Sequence, residues 1–147
     1  MVAARVLAYG PEYNCEVTKI VDGDTLDVDI DLGFSVRLTK QRIRMLGIDT
    51  PESRTRNKEE KVRGLLSKKF LSDMCPVGSN IRLVSHGKGK FGRILGEIFA
   101  LEGEASVNKI MCEEGFAVEY YGGSKDELGA KHQANKQILI AKGLITV

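Results

Sequence analysis

Apolar and polar residues alternate through the first third of the chain. Val17, Thr18, Ile20 and Val21 mark a strand over residues 13–21. Leu26, Val28, Ile30 and Leu32 then alternate strictly with Asp27, Asp29 and Asp31, the period-two signature of a strand with one face in a core and an acidic face in water. Gly33 turns the chain into residues 34–48, where Val36, Leu38, Ile43, Met45 and Ile48 predict one long strand, broken at 39–41. Beyond Pro51 the period changes: Val62, Leu65, Leu66, Phe70 and Leu71 share one side of a helix expected from Asn57 to just before Pro76. Two more strands are predicted at 80–85 and 93–101, separated by a glycine-rich loop at 87–92. Ser106 caps a short helix stopped by Gly115, and a last helix spans 126–142, closed by Gly143. Five strands, one helix between the third and fourth and two at the end predict an α+β, mainly β fold: a five-stranded Greek-key barrel of the OB type with three helices, in a single domain over residues 1–147.

Composition agrees with one ordinary core. The chain has 147 residues, 42% hydrophobic and 29% charged, and at this length roughly 70% of the unfolded surface is buried without help from disulfides or a structural metal. Cys15, Cys75 and Cys112 are far apart, odd in number and without metal-ligand spacing, and read as buried small hydrophobes in a reducing compartment. Residues 1–10 lack the apolar core of a signal peptide, and no apolar run reaches membrane-spanning length. The expectation is a cytoplasmic protein without membrane contact, although a mature chain already trimmed of its signal would look similar.

Charge changes the picture once its position is considered. The formal net charge is only +2. Residues 37–93, however, carry 15 Lys and Arg against 5 Asp and Glu, and the remainder carries 7 against 15. A basic face beside an acidic niche follows, and with it nucleic acid as a partner.

The niche is where the chemistry gathers. Asp22 and Asp24 precede the second predicted strand, and Asp49, Thr50, Pro51 and Glu52 close the third. Adjacent antiparallel strands bring such ends together. Three carboxylates converging there repel one another unless a hard cation neutralises them, and oxygen ligands favour Ca2+ or Mg2+ over zinc. The bland alternative is a plain turn at Asp22–Gly23 and a local loop cap at Asp49. Arg44 and Arg93 add two planar forks that match phosphate, and no Ser, Cys or His is placed as a nucleophile. Together these residues describe metal-assisted phosphodiester hydrolysis by water, against surface ion pairs as the alternative for either arginine. His86 and His132 have no partner pattern and read as surface residues. The Asp27, Asp29 and Asp31 series lacks the glycine and glutamate of a calcium-binding EF-hand loop and reads as a solvated strand face.

Three stretches, residues 22–25 (DGDT), 44–52 (RMLGIDTPE) and 90–93 (KFGR), resemble the staphylococcal nuclease, or thermonuclease, family in order and spacing, and the resemblance extends over nearly the whole chain. It implies that Asp24, Asp49 and the main-chain carbonyl of Thr50 hold Ca2+, with Mg2+ the less favoured ion, and that Asp22 lies beside them. Glu52 would orient the attacking water and serve as its general base. Arg44 and Arg93 would grip the phosphate, with Lys90 and Tyr121 as further nucleic-acid contacts. The implied reaction, on DNA and as a second candidate RNA, breaks the bond to the 5′ oxygen and leaves a 3′ phosphate and a 5′ hydroxyl. A monomer is expected. Departures are visible: Phe91 stands where a tyrosine is familiar, the hairpin between Thr25 and Arg44 is longer, and the loop after Glu52 is shorter and rich in Arg54, Arg56 and Lys58. The rival is a non-catalytic OB module that binds single-stranded nucleic acid or a protein. Such a module need not keep Asp24, Asp49, Glu52, Arg44 and Arg93 together.

Overall fold

The computed structural model describes residues 11–146; the reading of residues 1–10 as lacking a leader lies outside them. The alternating segments become a hairpin, β1 (Glu12–Asp22) and β2 (Thr25–Gly33), in register from Cys15 opposite Ile30 to Asp22 opposite Thr25. A second hairpin joins β2 to β3 (Val36–Met45) through Phe34 and Ser35, both at positive φ, +56° and +63°. That is a two-residue type I′ turn made without the usual Asn-Gly. After β3 come β4 (Ile48–Asp49), α1 (Lys58–Met74), β5 (Asn80–Lys88), a 3-10 turn (Lys90–Gly92) and β6 (Ile94–Ala100). α2 (Val107–Glu113), β7 (Val118–Glu119) and α3 (Lys125–Ala141) complete the chain.

Five strands close a barrel in the order β1-β2-β3-β6-β5, with β5 returning to β1; β3 and β6 run parallel and the other pairs antiparallel. This is the OB-type barrel that the pattern predicts, and three helices surround it. Leu26, Val28, Ile43, Leu83 and Ile98 fill its interior, and Leu71, Met111 and Leu139 cover it from the three helices. Cys15 and Cys75 are buried in that core as expected, and Cys112 is half-buried. No helix among the described residues is long and apolar enough to cross a membrane.

Two expectations need correction. The strand predicted over 34–48 ends at Met45: Gly47, at φ +77°, turns the chain, and Ile48–Asp49 pairs instead with Val118–Glu119 as a separate two-stranded sheet. The predicted break within β3 is present, with Lys40 at φ +55° inside a register irregularity opposite β2. The inward face of α1 also differs. Val62 and Leu65 are exposed, whereas Arg63, Gly64, Ser67 and Leu71 form the buried stripe. The cause is contact: a Cβ on Gly64 would collide with the carbonyl oxygen of Glu52, and one on Gly23 would lie 2.7 Å from Ser67 Cβ. Small residues let α1 press against the two loops that carry the acids.

Candidate active site

The β1–β2 turn presents Asp24, and the turn after β3 presents Asp49 and Thr50. Hairpin register does the positioning. Thr25 is the cross-strand partner of Arg44, and the Met45 amide donates to the Asp24 carbonyl at 2.9 Å, so the turn and the end of β3 are tied side by side. Arg44 then reaches both acids. Its Nη2 lies 3.3 Å from Asp24 Oδ2 and 3.4 Å from Asp49 Oδ1, while Nη1 donates to the Met45 carbonyl. Asp24 also accepts from the Thr25 hydroxyl at 2.9 Å and from the Thr50 amide at 3.2 Å. β7 holds the other acid in place, since Val118 is the strand partner of Asp49.

Asp24 is a buried carboxyl, and burial holds its pKa above the usual range, with a smaller push from the Asp49 charge. Arg44, the Thr25 hydroxyl and the Thr50 amide offset part of that shift. A divalent cation relieves the same penalty, and the donors on offer, two carboxylates and a main-chain carbonyl at Thr50, are hard oxygens. The residues therefore fit Ca2+. The expected convergence of three carboxylates is not found. Among the described residues no three Asp, Glu, His or Cys side chains gather as a metal group, because Asp22 accepts from the Ser53 hydroxyl at 2.6 Å and from the Gly23 amide.

The remaining expected residues make no hydrogen bond or ion pair with this trio among the described residues. Glu52 has an exposed side chain, and its amide donates to Glu60 at 3.1 Å, which fixes the loop to the first turn of α1. Arg93 lies one residue ahead of β6, whose Ile94 pairs with Ile43, so it stands at the mouth of the strand that runs parallel to the one carrying Arg44. Its Nε is buried without a partner, and its guanidinium lies over the Phe91 ring at 5.9 Å. Among the described residues it makes no ion pair. Lys90 and Phe91 are exposed in the 3-10 turn, Phe91 at φ +62°. Tyr121 is exposed but rests on Gly47, where a Cβ would stand 2.8 Å from the ring; it borders a groove of about 360 Å³ shared with Leu46, Glu97 and Asn108.

One reading is overturned. His132 is no surface residue: its side chain is only 15% exposed and its Nε2 lies 2.8 Å from Asp49 Oδ2. His86 is exposed but pairs with Glu97 at 3.1 Å. Sequence reasoning also missed Asn108, whose buried side chain accepts from the Ile98 amide and donates to the Leu46 and Gly96 carbonyls, tying α2 to the ends of β3 and β6. The sequence carries no pattern that marks such a residue.

The profile of the staphylococcal nuclease homologue family matches residues 42–142. The chain belongs to this family. The matched stretch of this staphylococcal nuclease homologue includes Arg44, Asp49, Thr50, Glu52, Lys90, Arg93 and Tyr121, and Asp22 and Asp24 lie just ahead of it. A protein of Haemophilus influenzae named "uncharacterized endonuclease" is 32% identical over 130 residues, 88% of this chain and 64% of its own length. An Escherichia coli protein of the same name is 30% identical over 104 residues, 71% of this chain and 59% of its own. The homologue therefore spans somewhat less than two thirds of either relative.

Proposed function

We infer that this domain is a Ca2+-dependent nuclease that hydrolyses phosphodiester bonds of DNA, with RNA as a second substrate, by attack of water. One observation carries the reading: a single guanidinium, Arg44, is held between two carboxylates, Asp24 from the β1–β2 turn and Asp49 from β4. Family membership and relatives named endonucleases support it.

Asp24, Asp49 and the Thr50 carbonyl would hold the cation, which when bound screens the substrate's negative charge and polarises a phosphoryl oxygen. The chain's own groups do the rest. Arg44 turns its fork from the carboxylates to the phosphate, and Arg93, free of any ion pair among the described residues, supplies a second fork. Both favour the extra charge that develops during attack. Glu52 orients the water and takes its proton; the new P–O bond forms as the bond to the 5′ oxygen breaks, and the departing oxygen, hydrogen-bonded by Arg93, takes a proton from solvent to which Glu52 returns its own. The products are a 3′ phosphate and a 5′ hydroxyl. Tyr121 offers a stacking face and Lys90 a charge to the flanking nucleotides.

The test is to incubate plasmid, single-stranded DNA and RNA with the protein in Ca2+, Mg2+ or EDTA. Cleavage in Ca2+ that EDTA abolishes is expected. No cleavage of any substrate by folded protein in either metal would overturn the reading.

A further inference from the structure

Among the described residues Asp49 has two side-chain partners, and they differ in permanence. Arg44 reaches Asp49 Oδ1 at 3.4 Å while also serving Asp24, and in the reaction above it leaves for the phosphate. Asp24 then keeps the Thr25 hydroxyl and the Thr50 amide. Asp49 keeps only His132, whose Nε2 lies 2.8 Å from Oδ2. We propose that His132 is a positioning residue that holds the Asp49 carboxylate in its cation-binding orientation when Arg44 engages substrate. The proposal rests on the reading of Asp49 as a cation ligand.

The stretch of α3 that carries the imidazole is itself fixed from several sides. The Nη1 of the buried Arg63, on α1, donates to the His132 carbonyl at 3.3 Å. One turn on, Asn135 donates to the Ala117 carbonyl at 2.7 Å, and Lys131 donates to the Glu119 carbonyl at 3.0 Å, which docks this part of α3 against β7, the strand partner of β4. His132 Nδ1 is buried without a partner. A carboxylate oxygen only accepts, so the 2.8 Å contact is an Nε2–H donating to Asp49 Oδ2, and Oδ1 is left on the side that Arg44 faces. A ligating carboxylate left without such a donor keeps its charge and loses its aim, which in metal sites costs about 10- to 100-fold in affinity.

The experiment compares wild type, His132→Ala and His132→Gln. Ca2+ binding is titrated by calorimetry without nucleic acid, thermal midpoints are recorded, and the Ca2+ concentration for half-maximal cleavage is measured. The Ala variant is expected to bind Ca2+ about 10- to 100-fold more weakly, with kcat recovering at saturating Ca2+, and the Gln variant, which keeps an N–H donor, to regain most of the affinity. An unchanged affinity in the Ala variant overturns the proposal, as does an equal loss in both variants that follows a fall in thermal midpoint. Wild-type protein that binds no Ca2+ overturns the metal reading and this proposal together, whereas normal Ca2+ binding by wild type and Ala variant alike removes this proposal alone.

Discussion

Arg44, on β3, meets Asp24, in the β1–β2 turn, Nη2 to Oδ2 at 3.3 Å, because Thr25, the residue after Asp24, is the register partner of Arg44 across the β2–β3 hairpin. A slip of one residue in that register would turn Arg44 into the core and Ile43 out of it. The alternation of apolar residues in β2 and β3 therefore sets the site as well as the barrel. Arg93 stands just ahead of β6, whose Ile94 pairs in parallel with Ile43.

Arg93 is the arginine whose loss separates activity from stability. Among the described residues it makes no ion pair, so Arg93→Lys should leave the thermal midpoint unchanged. The variant should lower kcat by about 100- to 1,000-fold, since a point charge cannot replace a two-pronged donor. Steady-state cleavage and a melting curve on the same preparation check both halves.

Gly64 and Gly129 make a matched pair. A Cβ on Gly64 would meet the backbone of Glu52 and Ser53, whereas one on Gly129 would meet nothing within 4 Å. Gly129→Ala should stabilise by about 0.5–1 kcal/mol through helix propensity. Gly64→Ala should destabilise by about 1–3 kcal/mol in spite of the same propensity gain. It should also reduce cleavage, because Glu52 is displaced. Urea denaturation of the two variants gives both signs.

The hairpin tip stores strain that a substitution can release. Phe34 is fully exposed, so nothing is lost by removing its ring, and both turn residues sit in the left-handed region. The double variant Phe34→Asn, Ser35→Gly should stabilise by about 1–2 kcal/mol, seen as a higher urea midpoint at unchanged slope.

How far the sequence foretold the structure depends on element length and on the kind of contact. β1 was legible from its β-branched residues and β2 from strict alternation; the helix start near Asn57 and the cap at Ser106 appear as expected, and each of the two side chains accepts from the amide three residues on. β4 and β7 were not, because two-residue strands carry no period. The buried face of α1 was read in part: Leu71 is buried and Leu66 and Phe70 pack on the core, but Arg63, Gly64 and Ser67 were missed because they serve close approach and hydrogen bonding rather than apolar area. His132 left a signal that went unread. Leu128, His132, Asn135 and Leu139 follow 4-3-4 spacing, the inward stripe of α3 that ends in the buried Leu139. Asp24, Asp49 and Arg44 were legible as a set; Asp22 was not, since only the fold shows it turned to Ser53.

The cysteines give a prediction on pH. Burial pushes the Cys75 thiol from 9.0 up to about 12, and burial together with the Asp31 charge does the same to Cys15. Folded protein at pH 8 should react slowly with a thiol reagent at both, and unfolded protein quickly. Because the folded state holds these protons where the unfolded state releases them, stability should be full below pH 9 and fall as pH rises toward 12. Unfolding free energies measured across that range, in the wild type and in Cys75→Ala, test the sign.

The most direct test of the central claim compares wild type with Asp24→Asn, a near-isosteric change that removes the charge of the buried carboxylate beside Arg44, and identifies the ends of any cleaved strand. The account predicts that wild type cuts DNA in Ca2+, leaves 3′ phosphates and 5′ hydroxyls and is silenced by EDTA, while a folded Asp24→Asn does not cut. Products with 5′ phosphates, or cleavage that survives both EDTA and the substitution, would contradict it.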